Sequence, residues 1–228
     1  MKNSRRNGGI FTNIALINGS PKVKDSASGV ILKGLKGMLP SDAHTQELFF
    51  RTAKPSDETL AKAVACDTLV FALPLYVDGL PSNVIGALLE LQTALQAAPK
   101  QARTVYAVVN CGFYEGKQNR HALEMMENWC NRAGIHWGQG IGVGAGGMLA
   151  GLESVPMGKG PNTNLGQALR TLVKNLESGA QADSLFITAN FPRFAYKAVA
   201  EFGWRQQGKA NGLKTKALFA KPGWDRPQ

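Results

Sequence analysis

From Asn13 to about Gly179, short apolar runs alternate with longer stretches whose apolar residues recur at helical spacing. Asn13 to Ile17 reads as a buried strand, and Val30 to Met38 continues a helix with Val30, Ile31, Leu35 and Met38 on one period. His44 to Phe50 is strand-like but alternates less cleanly. Asp57 to Ala65 predicts a helix with Ser56 as N-cap and Thr59 completing the first turn. Asp67 to Leu73 (DTLVFAL) is β-branched and apolar throughout, as a fully buried strand should be. Ser82 to Ala98 carries the strongest helical pattern: Ser82 reads as its cap, Pro99 as its stop, and Val84, Leu88, Leu91 and Leu95 as its stripe. Thr104 to Val109 predicts a strand, Asn119 to Ala133 a helix stopped at Gly134, His136 to Val143 a strand, and Leu165 to Leu176 a helix.

Near-continuous apolar strands separated by helices imply a parallel sheet covered on both faces and wound by right-handed crossovers. The expected fold is α/β: a doubly wound, five-stranded parallel sheet of flavodoxin-like order 2-1-3-4-5. One amphipathic helix is added after Phe191 (FPRFAYKAVAEFGWRQQGKANGL). This divides the chain into a basic, disordered head at 1–12, a single domain over 13–210 and a basic C-terminal tail at 211–228. Gly144 to Asn164 reads as one long Gly/Pro-rich loop.

Charge changes the picture less than its size suggests. The 228 residues carry a formal net charge of +10. The head contributes +3 through Lys2, Arg5 and Arg6, and from Arg193 onward eight basic residues face two acids for +6, so the body carries only +1. Basic ends on a nearly neutral body are not a nucleic-acid stripe, and no specific nucleic acid is expected as partner. No apolar stretch approaches the roughly 20 residues of a membrane span. The basic start lacks an apolar h-region, so no signal peptide is read and a cytoplasmic location is expected. Cys66, Cys111 and Cys130 are odd in number and include no CxxC, which fits reduced thiols better than a zinc or cluster site.

Ligands of such a sheet bind where the strand order reverses, beside the carboxyl ends of the first and third strands. Three loops there have unusual composition. In Ile17 to Gly29 (INGSPKVKDSASG), Gly19 permits a sharp exit, Ser20, Ser26 and Ser28 offer hydroxyls, and Lys22 and Lys24 add charge where a helix begins. This is either an ordinary tight turn or a socket for an anion at a helix N-terminus. Pro74-Leu75-Tyr76-Val77-Asp78-Gly79-Leu80-Pro81 is stiff and apolar, suited to a rigid connection or to the edge of a flat ring. Asn110-Cys111-Gly112-Phe113-Tyr114-Glu115-Gly116 places an aromatic pair between glycines, where Phe113 or Tyr114 can stack on a planar ligand. Cys111 has no neighbouring His to activate it and reads as an inert thiol.

One anion socket beside two aromatic rims describes a site for a mononucleotide carrying a flat heterocycle. The segments INGSPKVKDSAS, LVFALPLYVDGLPSNV and VVNCGFYEG resemble those of the NADPH-dependent FMN reductase family, over about residues 13 to 180. The resemblance implies that Ser20, Lys22, Ser26, Ala27 and Ser28 surround the FMN phosphate. It implies that Pro74, Leu75, Tyr76 and Val77 border the isoalloxazine from one side, and Asn110, Cys111, Gly112, Phe113 and Tyr114 from the other. Lys22 stands where the family commonly has arginine, which keeps the charge but loses the planar fork. Ser82 to Leu88 also departs from the family's helix after the second loop.

The resemblance implies an FMN-dependent NAD(P)H oxidoreductase, a homodimer, delivering electrons to a small acceptor such as flavin or quinone. Because the flavin carries the chemistry, no catalytic side chain and no metal is expected. An FMN-binding electron carrier without NAD(P)H turnover is the alternative, against which the basic balance argues. The spacing Gly142-x-Gly144-x-x-Gly147 matches a dinucleotide fingerprint, but it follows the fifth strand rather than the first, so Gly144 to Gly160 is read instead as a flexible cover near the flavin.

Overall fold

The computed structural model describes residues 13–220. The expected disordered head at 1–12, and the part of the tail beyond Ala220, lie outside the described residues. Six strands, β1 (Asn13–Asn18), β2 (His44–Phe49), β3 (Thr68–Pro74), β4 (Thr104–Asn110), β5 (His136–Val143) and β6 (Leu185–Ile187), form one parallel sheet in the order β2-β1-β3-β4-β5-β6. The first five strands take the expected order. The sixth was not expected because three residues, Leu185-Phe186-Ile187, give neither an apolar run nor a period, and they pair only with the end of β5.

Alternate strand residues feed two cores. Ala15, Ile17, Leu69, Phe71 and Leu73 face a core completed by α2 (Asp57–Val64), α3 (Ser82–Ala97) and α4 (Arg120–Ala133). Ile14, Leu16, Val70 and Ala72 face the other, completed by α1 (Ala27–Lys36) and α5 (Thr163–Ser178). Ser56 caps α2 as expected, its hydroxyl accepting the Thr59 N–H at 3.2 Å. Ser82 does not cap α3: Pro81 occupies the N-cap with φ −59° and ψ 147°, and its carbonyl takes the N–H groups of Val84 and Ile85. A proline with fixed φ ends the preceding loop in the geometry a cap needs, so the hydroxyl is not required.

Gly144 to Gly160, expected as a flexible cover, is packed against the rest of the unit. Gly146–Leu152 and Gly160–Asn162 are 3-10 turns, Leu149 is buried, and the buried Asn162 amide donates to the Val155 carbonyl at 3.0 Å. Met157 packs against α1 so closely that a Cβ at Gly34 would lie 2.8 Å from its Cγ. The dinucleotide-like glycines serve packing: a Cβ at Gly144 would overlap the Tyr114 carbonyl, and one at Gly142 would lie 2.6 Å from the Gly116 carbonyl oxygen.

Two compact units divide the chain, one reaching Asn190 and one beginning at Phe191. The expected single domain over 13–210 runs across that boundary, because α6 (Arg193–Ala210) buries only Gly208 and belongs with the 3-10 turn Thr215–Phe219. No helix of the described residues is long and apolar enough to cross a membrane.

Burial raises four titratable groups of the first unit. The Cys66 thiol is pushed up to about 11 and the Tyr106 phenol to about 12, and the Cys111 and Cys130 thiols also rise, desolvation being the main cause each time. These groups fold in their neutral forms, so their contribution to stability is complete below about pH 9 and is lost as the pH climbs through the raised values. Urea denaturation should therefore show stability falling between about pH 9 and 12; a rise across that window would contradict the assignment. The Tyr106 hydroxyl lies 3.0 Å from the carbonyls of Asn175 and Ala180, and Tyr106→Phe should cost about 1–2 kcal/mol at neutral pH by the same measurement.

Candidate functional site

A parallel sheet brings the carboxyl ends of its strands to one edge, and the direction of winding changes between β1 and β3. The loop after β1 leaves through Gly19, whose N–H donates to the Ala72 carbonyl of β3 at 3.0 Å. A Cβ there would crowd the Leu73 side chain and lie 2.8 Å from that of Val84, so a larger residue would have to displace both. The loop is then tied by its own polar side chains. Asn18 accepts the Ser20 N–H at 2.9 Å and donates to the Ser26 hydroxyl at 3.4 Å, while the Ser20 hydroxyl accepts the Lys22 N–H at 3.3 Å. Ser26 is the N-cap of α1, accepting the Gly29 N–H at 3.1 Å, and its carbonyl accepts from Val30. The amides of Ala27 and Ser28 are thus the first-turn donors that a helix start leaves unpaired. Lys22 is exposed, whereas Ser20, Ser26 and Ser28 are buried.

The second loop begins where Pro74 of β3 sits opposite Asn110 of β4. Leu75 donates its N–H to the Asn110 carbonyl at 2.8 Å, and Tyr76 and Gly79 exchange both backbone hydrogen bonds at 3.0 and 3.1 Å. This closes a two-residue turn in which Val77 and Asp78 take φ of 48° and 58°. Left-handed backbone is costly for a β-branched residue, and Val77 is fully exposed at the tip. Tyr76 is half-exposed beside it.

In the third loop the buried Asn110 amide donates to the Ser28 hydroxyl at 3.1 Å and the Leu73 carbonyl at 2.9 Å, joining the start of α1 to the end of β3. Cys111 is buried; its N–H donates to Val143 and its carbonyl accepts from Gly146. Desolvation raises its thiol, the hydrogen bonds to Phe113 and Asn119 offsetting only part, so it is a protonated thiol and not a ready nucleophile. Phe113 is 54% exposed, with its carbonyl accepting the Ala145 N–H, and a Cβ at Gly112 would meet nothing within 4 Å. The Tyr114 backbone packs against Gly144.

The structure therefore joins Ser28, Leu75 and Asn110 directly, while Asn18 and Ser26 bond to each other within the first loop. It spends the side chains of Ser26, Ser28 and Asn110 on holding the loops together. Two residues escaped the sequence reading: Asn18, and Asn83, whose amide donates to the carbonyls of Gly19 at 3.1 Å and Phe50 at 2.6 Å. Asn18 follows a strand and precedes Gly, an Asx-turn signal that was available; Asn83 was hidden inside a helical pattern. A cavity of about 470 Å³ also opens at the first loop, where Asn18 and Ser26 line it together with α1, β2 and Glu153, but neither Tyr76 nor Phe113 does.

No protein-family model matches the chain, and no curated protein matches it. Solved structures do. The NAD(P)H:quinone oxidoreductase from Methanothermobacter marburgensis is 13% identical with a TM-score of 0.51, over 72% of this chain and 96% of that one. An NADPH-quinone reductase from P. pentosaceus is 13% identical with a TM-score of 0.52, again over 72% and 96%. An apo NADH:FMN oxidoreductase is 14% identical with a TM-score of 0.50, over 75% and 90%. The fold is flavodoxin-like. On this flavodoxin-like sheet, all four non-glycine residues with positive φ among the described residues, Asp25, Val77, Asp78 and Ala145, lie in loops at the carboxyl edge.

Two substitutions should move stability in opposite directions. Asn110→Ala strands the Ser28 hydroxyl and the Leu73 carbonyl and should cost about 2–3 kcal/mol. Val77→Asn suits a turn with two left-handed residues and should gain about 1 kcal/mol. Chemical denaturation checks both.

Proposed function

We propose that the chain is an FMN-dependent NAD(P)H oxidoreductase that passes electrons to a small acceptor such as a flavin or quinone. The observation that carries this reading is the Asn110 side chain, which holds the start of α1 and the end of β3 together at the point where a doubly wound sheet binds ligands. The fold shared with two NAD(P)H-quinone reductases and an NADH:FMN oxidoreductase supports it.

The residues present fit the cofactor. The first-turn amides of Ala27 and Ser28, with Ser20 and the Lys22 ammonium, suit a terminal phosphate at the positive end of α1. Half-exposed Tyr76 and Phe113, exposed Val77 and the open space at Gly112 suit a flat ring between the second and third loops. Bound FMN supplies hydride acceptance and onward electron delivery. The chain's own part is to hold the phosphate, orient the ring between the loops and shed water from its faces through Tyr76, Val77 and Phe113. Pro74, Leu75, Asn110 and Cys111 act through backbone and packing, and the protonated Cys111 thiol forms no covalent bond. An apolar groove between α3 and α4, with Ile85, Leu89 and Met125 exposed along it, supports the expected homodimer, and three buried free thiols suit a cytoplasmic location.

Purified protein mixed with FMN should form a 1:1 yellow complex whose absorbance bleaches when NADH or NADPH is added without air. Phe113→Ala should weaken FMN binding by about 2- to 10-fold, the equivalent of one lost stacking contact. Failure to take up FMN contradicts the reading; uptake without bleaching by either nucleotide makes the protein an electron carrier.

A further inference from the structure

The cavity of about 470 Å³ has no part in the FMN reading, yet it shares walls with the phosphate socket. Asn18, Ser26 and Gly29, which shape the start of α1, line it, and from there it runs between α1 and β2, past Leu16 and Glu47 to Lys36. The order of the sheet sets its position. β2 lies on one side of β1, while β3 and β4, whose loops suit the flavin ring, lie on the other. A phosphate at the N-terminus of α1 therefore has the ring loops to one side and the cavity to the other. The cavity is of small-molecule size, within the roughly 300–1,000 Å³ usual for ligand pockets.

Its lining is specific. Phe49 forms part of one wall, where the Arg51 guanidinium lies 4.1 Å from the ring centroid, and the residue is still 43% exposed. A large ring held by a cation and left partly in water is a stacking surface. Asp25, in the same lining, holds φ at 52° without being glycine, the kind of strain that surroundings impose at a site. Lys36 and Glu47 pair with each other at 2.6 Å. That leaves Lys24 and Lys33 to meet an anion, and Asp25 and Glu153 to accept from hydroxyl or amino groups. This balance does not suit a bare anion. It suits a ligand that carries phosphate, a diol and a flat base together, which is a nucleotide.

We infer that the cavity between α1 and β2 receives an adenylate joined to the flavin phosphate, so that FAD is the flavin this chain binds best. The inference rests on the flavin reading and extends its ligand. The pyrophosphate would take the start of α1, as dinucleotides do at the first helix of a wound sheet, and the adenine would stack on Phe49. The nicotinamide donor also carries an adenylate, but its phosphates would need the helix start that the flavin phosphate already takes.

Calorimetric titration of the full chain, freed of any flavin, should give a Kd for FAD at least about tenfold below that for FMN. Phe49→Ala should weaken FAD binding about tenfold and move FMN binding less than about twofold, with far-UV circular dichroism checking that the variant stays folded. Adenosine alone, which has no phosphate, should shift the amide NMR signals of Val30, Lys33, Glu47 and Phe49 and leave those of Tyr76 and Phe113 in place. FAD binding no tighter than FMN, or a Phe49→Ala variant that weakens both flavins equally, overturns the inference and leaves the FMN reading standing. So does adenosine that moves no cavity amide. A Phe49→Ala variant whose KM for NADPH rises while its Kd for FAD holds also overturns it, since the cavity then serves the donor. Uptake of neither flavin removes the flavin reading and this inference with it.

Discussion

The buried amide of Asn110 is the interaction on which the carboxyl edge of the sheet depends. A side-chain amide removed from water must find acceptors, and this one finds the Ser28 hydroxyl and the Leu73 carbonyl, from α1 and β3 respectively. Both acceptors are in place only when the crossover from β1 through α1 has been completed and β3 has paired between β1 and β4. The backbone carbonyl of the same residue then accepts from Leu75 and starts the second loop. One residue therefore couples the topology of the sheet to the spacing of the loops that would grip a ligand.

Around this tie the loops are shaped by constraints that cost stability. Asp25, Val77, Asp78 and Ala145 hold left-handed backbone without being glycine, and each belongs to a loop leaving β1, β3 or β5 at this edge. Elsewhere left-handed positions carry glycine, as at the ends of α4 and α5, where Gly134 and Gly179 have φ of 70° and 63°. Strain concentrated at one edge of a sheet is the pattern of a site whose shape is imposed by its surroundings rather than by local preference. Gly142, Gly144 and Gly146 belong to the same construction: they let the end of β5 and the turn after it press backbone to backbone against the third loop.

Much of this was legible in the sequence, for physical reasons. Strands buried on both faces must be continuously apolar, so β1, β3, β4 and β5 announced themselves, with β5 expected over its observed span His136–Val143. The helices followed from their stripes. What escaped was set by tertiary pairing: β6 is three residues whose strand state exists only beside β5, and the N-cap of α3 passed to Pro81 because its extended backbone served without a hydroxyl. Gly144 to Gly160 reads as flexible from its composition, yet buried Leu149, Met157 against α1 and the Asn162 amide on the Val155 carbonyl hold it, a fact no Gly/Pro count contains. Of the site, the three loops could be placed by topology alone. The division of labour within them could not, since Ser28 and Asn110 look like ligand contacts in sequence but hold each other in the structure.

We propose that one ligand engages all three loops together. Amide NMR shifts followed while FMN is added to the protein measure this most directly. The largest changes are expected at 20–28, 75–79 and 111–115 in a single saturable step; changes confined to the cavity walls around Lys33, Glu47 and Phe49, or none at all, would show that the three loops do not share a ligand.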